Sequence, residues 1–368
     1  MTLPHASLHT FSIRSVTPDG FVSAASMRGF IVDVTPPAAP PNVRLHPADD
    51  ANGDSVTLVR APRFQWGASD DDHGIAGYRV RIDSGPWQDV QTETFTTPTA
   101  LGLGTHRVDI LAVDLAGNES SLASGTFVVS AAVLEPDPFT PGKTTLIVIG
   151  TPGADTILLT PANTTGSIRV TLNGMVVGTY RPTGTVQVDA QGGNDRVQLT
   201  SRALGFRTVF IGIPAMVVGG TGDDVLDARG VNAPTILSGG TGRDTLWGGL
   251  SRDVLIGGLS ADVLQGGAGD DLLIGGTTTF DDSPTAVWSI LAEWRRPDAS
   301  YSTRIRHLAG SLPRGRNGTH VLTRATVLND RVIDRLFGGG SLDWLFASGA
   351  PFADVLGDRQ ANEVKTAY

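Results

Sequence analysis

A chain of 368 residues with 37 acidic and 28 basic side chains carries a formal charge of -9, and it has no basic run long enough to follow a phosphate backbone. Nucleic acid is therefore excluded as a partner. The absence of cysteine excludes disulfides and thiolate chemistry, so stability rests on packing or on oxygen-ligated metal. Glycine, at 46 of 368 residues, lies well above the average of roughly 7% and marks a mainly β, turn-dense chain of two or three domains. No apolar run reaches the roughly 18 residues of a transmembrane helix, and Met1 to Asp19 lacks the basic and apolar regions of a secretory signal.

Two early segments align without a gap when His9 is placed on His106, a shift of 97 residues. His9, Phe11, Ile13, Val16, Gly20, Ser23 and Phe30 then fall on His106, Val108, Ile110, Val113, Gly117, Ser120 and Phe127. The alternation of apolar residues predicts two half-buried strands around a polar turn in each copy. Residues 1–34 supply only the last two strands of a repeat about 100 residues long, as expected for a piece of a longer protein or for a misplaced start codon. Residues 35–41, rich in proline, read as a stiff linker.

Residues 42–130 hold the complete repeat, with predicted strands at Arg63 to Trp66, Gly77 to Asp83, Thr105 to Val113 and Gly125 to Val129. Trp66, the Gly77-Tyr78 strand, Gly104-Thr105-His106 and the ending from Ala112 to Ser120 resemble fibronectin type III and bacterial immunoglobulin-like modules. That resemblance implies a β-sandwich and makes 1–34 a partial immunoglobulin-like repeat. Trp66 and Tyr78 read as core anchors, and Asp70-Asp71-Asp72 as a solvated turn. Residues 143–218 alternate like strands and are expected to form irregular β coils. They contain two isolated Gly-x-Asp-x-apolar echoes, at Asp155 and Asp195, for which no partner loop is in frame.

Residues 219–276 repeat the pattern Gly-Gly-x-Gly-x-Asp-x-apolar-x, once at Gly219 to Asp227 and four times in frame from Gly239 to Ile274. Glycines let a six-residue loop turn tightly and aim its carbonyls inward, while the sixth-position Asp adds a hard anionic oxygen of the kind calcium prefers. The apolar eighth positions, Leu226, Leu246, Leu255, Leu264 and Leu273, belong on short strands facing a core. Each nonapeptide is then half a coil.

The array resembles the RTX, or hemolysin-type, calcium-binding repeats, whose fold is a right-handed parallel β-roll. By that resemblance the metal residues are Gly222, Asp224, Gly242, Asp244, Asp253, Asp262, Gly269 and Asp271, and the cofactor is Ca2+. Stacking two repeats apart pairs Asp224 with Asp244, Asp244 with Asp262, and Asp253 with Asp271. All five aspartates are expected along one edge, with Asp224 at its border beside a degenerate coil. Ser251 and Ser260 replace the third glycine, so their loops are expected to be distorted or to bind less tightly.

Residues 277–337 read as a helical insert or cap at the end of the roll. Ser283-Pro284 is a helix start, Val287, Ile290, Leu291 and Trp294 form one stripe, and Tyr301, Ile305, Leu308 and Leu312 form another. Glu293 alone makes no catalytic pair. Residues 338–368 return to the nonapeptide rhythm at Gly338 to Phe346 and at Ala353 to Leu356. The stretch 215–368 resembles the terminal module of planctomycete surface proteins.

The expected function is a calcium-binding structural or adhesive protein, secreted or at the cell surface, with matrix or surface components as partners. The alternative is an RTX-tailed fragment of a larger secreted enzyme. The sequence carries neither His-Glu-x-x-His nor Gly-x-Ser-x-Gly, so no enzyme activity is expected of this chain.

Overall fold

The computed structural model describes residues 8–50, 52–349, 351 and 353–367, which divide into two units, Met1–Ser130 and Ala131–Tyr368. Both units are built from strands, with two short helices in the second. Among the described residues no helix is long and apolar enough to cross a membrane.

In the first unit, Leu8–Ile13 and Ser26–Ile31 pair antiparallel from Leu8↔Ile31 to Ile13↔Ser26. Gly104–Asp114 and Ala123–Val129 pair in the same register, 97 residues on, with Thr105 opposite Val128 and Ile110 opposite Ala123. The likeness extends to side chains. His9 and Phe30 have ring centroids 5.6 Å apart, as do His106 and Phe127.

Their surroundings differ. Arg44–Leu45, Arg63–Gln65 and Thr94–Thr96 form a three-stranded sheet that faces a five-stranded sheet ordered Val56–Thr57, Ala123–Val129, Gly104–Asp114, Ile75–Ile82 and Gln88–Val90. Alternation along Gly104–Asp114 puts Val108, Ile110 and Ala112 on the inner face, where they meet Phe64, Trp66, Tyr78 and Phe127. Phe64 packs edge-on against Phe127, and Trp66 against Tyr78. Phe127 is 2% exposed, whereas Phe30, its counterpart in the first hairpin, is 40% exposed. Between the copies, Pro37 and Pro40 are buried, the Ala38 N–H donates to the Asp70 carbonyl, and the Pro41 carbonyl accepts from the Gly67 N–H. The proline run thus lies along the second copy instead of spanning free.

The second unit is built on two nine-stranded sheets. From Thr144–Ile149 and Thr156–Pro161 onward, each coil places one strand in each sheet, parallel to the strands of the next coil, and the series ends at Val355–Leu356 and Val364–Thr366. Antiparallel strands pair at the other end of each sheet. Register stacks like on like: Leu226 on Leu246 on Leu264 in one sheet, Leu237 on Leu255 on Leu273 in the other, all buried between the sheets. The coils continue without a break across residues 218 and 219, so the roll is longer than its regular repeats.

Residues 275–334 loop out between Leu264 and Leu336, which pair directly, as do Leu273 and Leu345. The insert contains helix α1, Pro284–Trp294, capped by the Ser283 hydroxyl accepting from the Ala286 N–H. Helix α2, Tyr301–Leu308, is capped in the same way by Ser300. The helices do not close the end of the roll, as a cap would. They lie on the outer face of one sheet, where Val287, Trp288, Ile290, Leu291 and Trp294 pack against Met216, Ile236, Val254, Ile256, Leu272 and Ile274. That outer face is apolar and has to be covered, whereas outward positions of the other sheet include Asp227, Gln265 and Arg335.

The two copies of the hairpin make a direct comparison. Phe127→Ala should destabilise the full chain by about 3–5 kcal/mol in urea unfolding, the usual cost of deleting a core phenylalanine. Phe30→Ala should change it by less than about 1 kcal/mol. Equal effects would mean that both hairpins are buried alike.

Candidate metal centre

Each sixth-position Asp ends a turn between the sheets, and stacking turns the aspartates into columns. In one column, Asp195 Oδ1 accepts the Asp155 N–H at 2.7 Å, Asp224 Oδ1 accepts from Asp195 at 2.7 Å, and Asp244 Oδ1 from Asp224 at 2.8 Å. The chain of bonds continues through Asp262, Asp334 and Asp354 at 2.8, 2.9 and 3.0 Å. On the opposite edge, Asp253 Oδ1 accepts from Thr235, Asp271 from Asp253 and Asp343 from Asp271, at 2.7, 2.8 and 2.7 Å. The five array aspartates therefore occupy two edges instead of one, because a nine-residue step is half a coil and alternates sides. Asp224 is not a border residue either, since Asp195 and Asp244 flank it.

The second oxygen of each carboxylate defines the site. Oδ2 of Asp195, Asp224, Asp244, Asp262, Asp271 and Asp343 is buried and has no hydrogen-bond partner. A bare buried anionic oxygen is costly unless a proton or a cation meets it. Burial, and then repulsion from neighbouring carboxylates, aspartates throughout except that Glu363 leads for Asp343, raises these groups against the opposing effect of the N–H bonds. Asp195 and Asp224 are pushed up to about 6, Asp244 and Asp343 to about 7 and Asp262 to about 9, with Asp271 also well above the carboxylate range.

The glycines explain how oxygen gathers there. A Cβ on Gly239 would overlap both Asp244 Oδ2 and the Gly257 carbonyl oxygen, and one on Gly257 would overlap Asp262 Oδ2 and the Gly275 carbonyl. Gly219 and Gly266 stand in the same relation to Asp224 and Asp271. The first glycine of a repeat thus lets one carboxylate oxygen and one carbonyl oxygen come together where a side chain would stand. Gly242, at φ +120°, would with any side chain collide with the Gly222 carbonyl beneath it. These are hard oxygen donors in a desolvated recess, a set that fits calcium.

Asp253 differs from the rest of the predicted set. Both its oxygens accept from backbone, Oδ1 from Thr235 and Oδ2 from Gly249 at 2.6 Å. The serines part company here. Ser260 enters the left-handed region at φ +87°, while Ser251 and Gly249 stay out of it, and the Gly249 N–H turns onto Asp253. The returning nonapeptide rhythm marks Asp334, Asp343 and Asp354, which the predicted metal set omits although they stand in the columns, and sequence spacing left Asp155 and Asp195 without a partner. In the first unit, Asp71 of the acidic turn meets Asp33 and His73, with ligand atoms within 4.8 Å and His73 Nδ1 3.2 Å from Asp33 Oδ2.

The RTX calcium-binding nonapeptide repeat (4 copies) matches residues 229–264 and 247–277. This C-terminal part of the chain is a calcium-binding RTX repeat region, and repeats of that family are structural modules, not catalytic ones. No curated protein matches the chain. The solved structures similar to it include the glycoside hydrolase domain of Endo-D from Streptococcus pneumoniae R6, at 14% identity and a TM-score of 0.20. That match covers 33% of this chain and 27% of the other.

The raised carboxylates fix the pH response of the calcium-free protein. A group whose folded value lies above its unfolded one favours folding below the unfolded value, and that favour is lost as pH rises through the folded value. With chelator, the melting temperature of the roll should fall as pH rises from about 5 to 8, the window spanned by the shifts to about 6 and about 7. A flat or rising profile in chelator would show that the carboxylates are not buried as described.

Proposed function

We propose that this chain is a calcium-stabilised structural or adhesive protein of the extracellular space or cell surface, in which the roll folds on Ca2+ and the first unit serves as a spacer. The observation that carries the reading is the set of buried, unpartnered Oδ2 atoms facing backbone carbonyls in two columns. In this reading the ions are held by Asp224, Asp244, Asp262 and Asp271 with carbonyls of the glycine loops, among them Gly222, Gly242 and Gly269. Asp195 and Asp343 extend the columns beyond the regular array. Asp253 holds backbone N–H groups in place of an ion.

Extracellular modules bind calcium at roughly 10⁻⁴ to 10⁻³ M, so such a roll folds where calcium is plentiful. The ion adds stability by mass action, about 2.7 kcal/mol per independent site at one hundred times its dissociation constant. Residues 42–130 are assigned as an immunoglobulin- or fibronectin type III-like spacer, a reading supported by three- and five-stranded sheets around one core. Its partners in this reading are matrix or cell-surface components.

Calcium titration of the full chain, followed by calorimetry and far-ultraviolet circular dichroism, tests the proposal. Binding should be accompanied by a gain of β signal. Asp262→Asn should weaken the affinity at least about tenfold, as expected for removal of a ligand, whereas Asp253→Asn should leave the number of ions bound unchanged. No heat of binding and one spectrum with and without calcium would overturn it.

A further inference from the structure

The helical insert creates a second feature, away from the aspartate columns. Between α1 and the roll opens a cleft of about 550 Å³, bordered by Lys143, Arg295 and Arg316 together with Thr140, Thr183 and Ser289. No carboxylate lines it. Arg63 and Arg81, by contrast, are paired with Asp49 and Asp109. Among the described residues, neither the Lys143 ammonium nor the Arg295 guanidinium has a carboxylate partner, and Arg316 makes only a loose contact with exposed Asp298 at 3.5 Å. Partial desolvation against the cleft and then repulsion from nearby Arg316 lower the Arg295 guanidinium below its ordinary value, although the residue is exposed. Like charges held together at the mouth of a recess concentrate anions there.

The remaining lining narrows the ligand. Phe139 and Trp288, with ring centroids 5.2 Å apart, give an aromatic wall continued by Ile213 and Pro214, and the threonine hydroxyls offer neutral hydrogen bonds. A single inorganic oxyanion leaves most of such a volume empty, whereas cavities of this size suit small organic ligands gripped by a few polar groups. Cations, hydroxyls and an apolar wall together match a sugar ring that carries an acid group, which offers charge, hydroxyls and an apolar C–H face.

We propose that this cleft binds an acidic saccharide, one or two rings bearing a carboxylate or sulfate, through Lys143, Arg295 and Arg316. The site would give the second unit a place at which to hold an anionic glycan. It involves none of the aspartate columns.

The test is calorimetric titration of the full chain, in millimolar calcium, with a sulfated uronate disaccharide. Maltose, inorganic sulfate and a glutamate dipeptide are the comparisons, and a blank titration corrects for calcium binding by the ligand. The disaccharide should bind, and Lys143→Glu with Arg295→Glu should weaken it at least tenfold while leaving the circular dichroism unchanged. If that pair does not fold, Lys143→Gln and Arg295→Gln, taken singly, should each weaken binding by a smaller factor. The proposal is overturned if the wild-type chain does not bind the disaccharide, if the folded substituted chain binds it equally well, or if maltose, sulfate or the dipeptide binds as tightly.

Discussion

Parallel coils stack at the spacing of neighbouring strands, about 4.8 Å, and whatever occupies the sixth position of a repeat must stack with them. In this roll that residue is Asp, and one of its oxygens is used to hold the N–H of the Asp one coil away. The bond sets the turn and also brings the next carboxylate within reach. Two unit charges about 5 Å apart repel by about 3 kcal/mol at an effective dielectric constant of 20, and the column on one edge contains seven aspartates. The hydrogen bonds that organise the column therefore create its need for positive charge. Proton and calcium are alternative answers, and calcium is the one that would leave the carboxylates ionised.

The same stacking accounts for the glycines. The space above Gly239 is already taken by Asp244 Oδ2 and the Gly257 carbonyl, so side chains are excluded by the oxygens that would hold the ion. Fold and site are one structure here. The insert is fastened to it as well: buried Arg304 pairs with Asp270 beside Asp271, the Tyr301 hydroxyl donates to the Asp343 carbonyl, and Asp330 accepts the Ser260 N–H. The insert thus braces loops of both edges, with α2 on one and Asp330 on the other, while its helices cover the sheet.

What was legible in the sequence was whatever repeats locally. The nonapeptide pattern picks out Asp224, Asp244, Asp253, Asp262 and Asp271, all of which fall in the hydrogen-bonded columns, and the leucines two residues further on mark the core. The shift that puts His9 on His106 yields strand pairs in one register. Long steps hide the rest. Asp155, Asp195 and Asp224 are 40 and 29 residues apart, and Asp262 and Asp334 are 72 apart, so no frame connects them although each pair is joined by a hydrogen bond. The fate of Asp253 depends on the Gly249 N–H turning inward, which the spacing of Asp cannot reveal. The place of the helices was set by Ile236, Val254, Ile256 and Ile274 on the outside of a sheet, positions that the glycine-aspartate pattern treats as free.

Amide hydrogen exchange of the full chain at neutral pH, with calcium and with chelator, reads the central claim most directly because it resolves the roll from the first unit. Strands Thr235–Thr241, Val254–Leu259 and Val263–Ala268 should be protected with calcium and exchange at least about a hundredfold faster in chelator, the factor that corresponds to about 2.7 kcal/mol. Residues 104–129 should exchange alike in both. Equal protection of the roll with and without calcium would contradict the claim that its buried carboxylates depend on the ion.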